Sequence, residues 1–195
     1  MKLSVPTVEV AEKLLFEAKE KNPGSWVIHN HVAGNCARKI ALACADLDVE
    51  VAYVLGLLHD IGRREGMMDM RHIYCGYQYM SSLGYVDSAR ICLTHSFPYK
   101  NIAAYNGSND CNQEESEFIQ NFLNDTTYDD YDRLIQLCDA ISYPTGPTYL
   151  ERRLVDVVRK RGFNEHTLPK WEAFFDVKAY FDCKASCDIY TILQG

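Results

Sequence analysis

His59 and Asp60 stand side by side at the end of the apolar run Val51–Leu58. A helix of that composition is buried, and burying an imidazole and a carboxylate is costly unless something binds them. Neighbouring helical residues point about 100° apart, yet both can reach one ion at a helix end. Asp139 interrupts a second apolar run, LIQLCDAI. An unpaired carboxylate there would be driven to its neutral form, and a bound cation removes the difficulty. Upstream, His29 opens a stripe that continues through Ala33, Ala37, Ile40 and Ala41. Two imidazoles and two carboxylates make a mixed nitrogen and oxygen donor set, suited to Mn, Fe, Co, Ni, Zn or Mg. Such an ion lowers the pKa of water to about 7 in the best zinc cases, which is the chemistry needed to open a phosphate ester at neutral pH. The plainer alternative is a histidine bonded to a backbone carbonyl beside a capping aspartate.

The order His29…His59-Asp60…Asp139 resembles the HD-domain superfamily of metal-dependent phosphohydrolases, and His59-Asp60-Ile61-Gly62 matches its HDIG form in full. The resemblance spans about Trp26 to Ser142. It implies an all-α, compact multi-helix bundle in which His29, His59, Asp60 and Asp139 hold a first divalent ion. His72 and His95 match in order the additional histidines of two-metal members. They imply a second ion, bridged by Asp60 and held by His72 and His95. The implied cofactor is one or two ions of Fe, Mn, Ni, Co, Zn or Mg, with Asp60 and His59 as the catalytic pair. The implied substrate is a nucleotide or another small phosphorylated metabolite, and diadenosine polyphosphates belong to that class. Two features depart from the pattern. Arg63 follows the glycine where the HDIG form often has lysine, and the nearest acid to the nucleotidase glutamate position is Glu65. His31 lies two residues from His29, and positions i and i+2 of a helix face apart. The small residues after His29 fall at the spacing the family shows, which selects His29 over His31.

Cations near these positions are candidate phosphate ligands. Arg63 and Arg64 follow the His-Asp pair, Arg71 precedes His72, and Lys100 lies beyond His95. An arginine fork binds phosphate oxygens in pairs, so Arg63 and Arg71 are the first choices to face a cleft, ahead of Arg64 and Lys100. The basic run Arg152, Arg153, Arg159, Lys160 and Arg161 reads as a solvated face, with a homodimer contact or an anion contact as alternatives. Two further readings share the same scaffold: a catalytically silent nucleotide-sensing module and a di-iron oxygenase. Retention of every ligand position argues against the first, and the nearby arginines favour phosphate over the second.

The elements that must position these residues are helical. Apolar spacing predicts helices over about Val8–Lys19, Trp26–Ala45 capped by Ser25, and Val49–Ile61 capped by Asp48 and ended by Gly62. Further helices are expected over about Asp69–Leu83, Val86–Thr94, Tyr128–Ser142, Tyr149–Arg161 and Leu168–Tyr180. The acidic runs Glu114-Glu115-Ser116-Glu117 and Asp129-Asp130 suit helix starts. Residues 96–111 read as a long irregular stretch, and Pro144, Gly146 and Pro147 as a break. No alternating strand pattern and no repeat is present.

The 195 residues fit one domain, with the metal-site core at about 26–142 and a helical extension at about 147–195. No apolar run approaches the roughly 20 residues needed to span a bilayer, and the first residues lack a leader pattern. The eight cysteines include no CxxC pair and read as reduced and mostly buried, so a cytoplasmic setting is expected. The formal charge of −7 gives no general attraction for nucleic-acid polymers or anionic membranes. An anionic substrate must therefore be drawn in by local cations or a metal.

Overall fold

A computed structural model describes residues 3–194. Among these, ten α-helices and one short two-stranded ribbon make up the regular structure. The order is α1 (Val8–Lys21), α2 (Ser25–Ala43), α3 (Val49–Leu58), α4 (Arg71–Ser82), α5 (Val86–Thr94), α6 (Gln113–Asp125), α7 (Asp130–Ala140), the ribbon β1–β2 (Ser142–Tyr143 with Gly146–Pro147), α8 (Leu150–Arg161), α9 (Thr167–Lys184) and α10 (Ile189–Gln194). Short 3-10 turns cover Ile61–Glu65 and Ile102–Ala104.

Capping chemistry explains most helix starts. Asp48 Oδ1 accepts from the N–H groups of Glu50 and Val51 at 2.9 and 3.0 Å, as its position before α3 predicts. Reciprocal capping boxes start α6 (Asn112 with Glu115) and α7 (Asp129 with Asp132). Ser25 is a correction: it is the first residue of α2, Gly24 holds the cap position, and no side chain caps that end. The helix read over 128–142 is shorter at both ends: Asp129 caps its start, and residues 142–147 leave it to form the antiparallel ribbon.

A second correction bears on the site. α3 ends at Leu58 rather than Ile61, so His59 occupies the C-cap and Asp60 leads into the 3-10 turn. Gly62 lies inside that turn and does not end the helix. A β-carbon there would stand 1.9 Å from the His72 carbonyl oxygen and 2.4 Å from the Gly76 nitrogen. The glycine is thus needed to let the turn lie directly on α4. A similar close approach joins α2 to α3, where a β-carbon on Gly56 would meet the Gly34 Cα at 2.8 Å. Two bare glycines let these backbones nearly touch, which brings the start of α2 beside the end of α3.

The core divides around that crossing. Ala33, Ala37, Ile40 and Ala41 of α2 pack against Leu134, Ile135 and Cys138 of α7 and Phe174 and Phe181 of α9. On the other side Leu14 and Leu15 of α1 pack with Val54, Leu57 and Leu58 of α3. A third cluster joins Ile73, Leu93, Phe97, Ile119 and Leu123 under the loop after α5. Cys36, Cys44, Cys92 and Cys138 are buried, and all eight cysteines are free thiols. No helix of the described residues is long and apolar enough to cross a membrane.

Candidate metal centre

Four helix ends and one helix face converge on the site. His29 lies in the first turns of α2, His59 and His95 stand at the C-caps of α3 and α5, His72 begins α4, and Asp139 closes α7. Two buried amides hold the helix ends in place. Asn30 Nδ2 donates to the Leu57 carbonyl at 2.9 Å, and Gln136 Nε2 donates to the Thr94 carbonyl at 3.1 Å. Each binds a carbonyl in the last turn of a helix, within two residues of a site histidine, and the Thr94 carbonyl also accepts from the Phe97 N–H at 3.0 Å.

All four histidines turn Nδ1 to a backbone carbonyl. His29 Nδ1 faces Ser142 O at 3.1 Å, His59 Nδ1 faces Gly56 O at 2.7 Å, and His95 Nδ1 faces Cys92 O at 3.0 Å. His72 Nδ1 faces Asp69 O. A carbonyl only accepts, so Nδ1 carries a hydrogen, and in a neutral ring Nε2 is then the nitrogen with the lone pair. The Nε2 atoms then point inward. His29 Nε2 lies 3.2 Å from His59 Nε2 and 3.0 Å from Asp139 Oδ1, and His59 Nε2 lies 3.6 Å from the same oxygen. Asp60 Oδ1 is 2.8 Å from His72 Nε2 and 3.4 Å from His95 Nε2. The His72 nitrogen is buried and has no hydrogen-bond partner among the described residues.

Lone pairs of nitrogen and carboxylate oxygen that face one another at these distances repel unless a proton or a metal ion sits among them. A proton bridges only two such atoms, whereas a divalent ion satisfies three or more at once, which suits the clustered donors here. His29, His59 and Asp139 form one possible ligand group, and His59, Asp60 and His95 form another. His72 borders the second through Asp60. The electrostatics agree. Burial disfavours the charged forms of Asp60 and Asp139, but Arg63 and the imidazoles beside Asp60, and the His29 and His59 imidazoles beside Asp139, outweigh it. Both carboxyls are held well below the usual carboxylate range. Burial likewise opposes charge on His59, yet Asp60 and Asp139 raise its pKa, whereas at His95 burial prevails and lowers it.

Access is graded. The side chains of Asp139 and His29 are 23% and 11% exposed, while those of His59, Asp60, His72 and His95 are 7% exposed or less. Asp139 and His29 therefore meet a cleft of about 390 Å³ whose lining also includes Asp60, His95, Trp26 and Tyr105.

A model of the HD domain matches residues 26–143, more than half of the chain. The chain belongs to the HD domain family. HD domains are generally metal-dependent phosphohydrolases, and the two donor groups are what such a domain needs to bind a divalent ion. Neither a curated protein nor a solved structure matches the chain significantly. The HD match ends at the ribbon, so α8, α9 and α10 lie outside it.

The candidate phosphate ligands of this HD domain separate. Arg63 lines the cleft, with Nε donating to Asp60 Oδ2 at 2.5 Å and Nη1 to the Met68 carbonyl at 3.2 Å. Arg64, Arg71 and Lys100 do not line it, which corrects the sequence expectation. Arg64 stacks 3.8 Å over Tyr79. Arg71 grips both Glu115 oxygens at 2.9–3.1 Å, because it precedes His72 by one residue and so faces the start of α6 rather than the site. Lys100 donates to the Thr126 carbonyl at the end of α6 and lies over Tyr128. Conversely, Arg153, Lys160 and Arg161, read from sequence as a solvated face, line the same cleft as the metal ligands. Asn30, Gln136 and the Ser142 carbonyl also escaped the sequence reading. Asn30 and Gln136 bind main-chain carbonyls of distant helix ends, and the Ser142 carbonyl meets the His29 ring 113 residues away, pairings which no local pattern reveals.

Proposed function

We propose that this HD domain hydrolyses a phosphate ester of a nucleotide or another small phosphorylated metabolite, using two divalent ions. The observation that carries the reading is the set of four histidines with Nδ1 tied to backbone carbonyls and Nε2 turned on two carboxylates. His29, His59 and Asp139 would hold one ion, and Asp60, His72 and His95 the other, with His59 adjoining both. When bound, such ions acidify water and neutralise charge on a phosphoryl group.

The chain's own residues do the remaining work. The four carbonyls fix the ring orientations, so no histidine must turn over on loading. Arg63 holds Asp60 with Nε and the Met68 carbonyl with Nη1, and its Nη2 can bind a phosphate oxygen in the cleft. Trp26 and Tyr105 supply flat apolar walls against which a base or sugar can pack. A cleft of about 390 Å³ is in the size range of small-molecule sites. Together with the net charge of −7, that supports a metabolite over a nucleic-acid polymer.

The test is to quantify metal bound after purification, then to measure phosphate release from a nucleotide panel with Mn, Mg, Co, Ni and Fe. Wild type should retain metal and release phosphate. Asp60→Ala should lose both, and an unchanged metal content in that variant would defeat the assignment.

A further inference from the structure

Four cations line the cleft against three carboxylates, Asp60, Asp69 and Asp139, of which Asp60 pairs with Arg63 and Asp69 with Arg161. Besides Arg63, it is lined by Arg153, Lys160 and Arg161 of α8, a helix beyond the family match. Spacings of seven and eight residues from 153 keep these side chains on adjoining faces of the helix, and Val157 between them lines the cleft as well. Arg161 has a distant partner, Asp69 at 3.5 Å. Among the described residues no carboxylate pairs with Arg153 or Lys160; the side-chain bridges of that helix run instead through Arg159 and Asp156. Arg153 rests on the Tyr143 ring, 4.9 Å from its centre, and the Tyr143 hydroxyl is in turn fixed by Asp156 at 2.6 Å.

Helix electrostatics account for Lys160 and Arg161, which sit in the last turn of α8, where cations are favoured. They do not account for Arg153. That residue stands in the first turn, where a cation opposes the helix dipole, and it is half-buried. Arg153 also borders a small recess of about 50 Å³ that opens beside Asp139 and is floored by Lys170 of α9. Lys170 is 4% exposed, and its ammonium donates only to the Ala104 carbonyl, at 2.9 Å. Two cations from the C-terminal helices, neither with a carboxylate within 4 Å among the described residues, therefore flank one edge of the site in a chain that is acidic overall.

We infer that α8 and the start of α9 form a second anion subsite, and that the substrate carries a second phosphoryl group apart from the one hydrolysed. This inference rests on the phosphohydrolase reading for the identity of the first group. It assigns the recognition of substrate to the segment outside the HD match and the chemistry to the segment inside it.

The test uses the full Mn-loaded chain and two pairs of probes, adenosine 5′-monophosphate with adenosine 3′,5′-bisphosphate, and fructose 6-phosphate with fructose 1,6-bisphosphate. Binding is measured by calorimetry and phosphate release is followed on the same four compounds. In at least one pair, wild type should bind the bisphosphate at least about tenfold more tightly, a difference of about 1.4 kcal/mol. Lys160→Gln, an exposed position where folding is not at stake, should lower that ratio severalfold, and Arg153→Gln with Lys160→Gln should bring it near one. Equal affinities in wild type for both pairs, or a ratio preserved in the double variant, would overturn the subsite. A bisphosphate preference with no phosphate released from any compound would sink the hydrolase reading and keep the subsite, whereas release without preference would sink the subsite alone.

Discussion

His29 Nε2 and His59 Nε2 face each other at 3.2 Å, and neither can turn away, because the other nitrogen of each ring is bonded to a backbone carbonyl. Two rings so held are poised to share a positive charge with the Asp139 oxygen beside them. Loading with a divalent ion should therefore stabilise the native chain and stripping should destabilise it. An ion at about a hundred times its dissociation constant adds about 2.7 kcal/mol, which for a domain of this size raises Tm by roughly 5–10 °C. Calorimetric melting with and without EDTA, followed by Mn add-back, checks this. Identical melting temperatures would remove the argument for a cation between the rings.

Arg63 joins Asp60 to the Met68 carbonyl through two different nitrogens of one planar fork. Lysine keeps the charge but cannot span both. Arg63→Lys should weaken metal affinity by about 10–100-fold, the usual effect of losing a residue that orients a ligand, and lower kcat/KM by at least as much. Competition against a fluorescent chelator gives the first number and phosphate release gives the second. Affinity within twofold of wild type would mean that Arg63 serves the substrate alone.

Gly62 occupies a space set by the backbone of α4 rather than by a turn conformation. Gly62→Ala would drive a methyl group into the His72 carbonyl, and main chain cannot step aside as a flexible side chain would. The expected cost is about 3 kcal/mol or more, with loss of metal because His72 moves with that carbonyl. Urea unfolding of the metal-free proteins isolates the packing cost. A midpoint equal to that of wild type would show that the turn and α4 separate readily.

Lys170 gives a pH signature. Burial pushes its ammonium down to about 8 from 10.5, with Asp139 a weaker opposing influence. Between those values the unfolded chain binds more protons than the native one, so native stability rises as pH climbs through that window. Below about pH 8 the folded protein carries a buried charge. Lys170→Met should then be more stable than wild type at pH 7, by about 1–3 kcal/mol, and the advantage should vanish near pH 10.5. Urea titrations at pH 7, 9 and 10.5 test it. A variant less stable than wild type at pH 7 would show that the bond to Ala104 outweighs desolvation.

Polar residues set in apolar runs were the legible part of the centre. His59, Asp60 and Asp139 stand out because a buried helix has no other use for them, and the bundle itself follows from helical spacing. The end of α3 was not legible, because hydrophobicity continues to Ile61 while the backbone has already tightened at His59. Arg71 and Arg153 were misjudged in opposite directions for one reason. Nearness in sequence to a ligand placed Arg71 at the site, although its helix turns it to Glu115, and distance in sequence placed Arg153 on a solvated face, although α8 folds back over the cleft. Asn30 and Gln136 act on carbonyls 27 and 42 residues away, and only the fold makes those pairs.

The atoms that orient the four imidazoles are all main-chain oxygens, of Ser142, Gly56, Asp69 and Cys92. No single codon change can delete a carbonyl. Mutation can remove a ring from this array, but can re-aim one only by shifting a whole helix terminus. Inherited variation among descendants of this protein should therefore leave the floor of the cavity constant and accumulate along its walls, where exchanging one side chain alters what is admitted without disturbing the reactive centre.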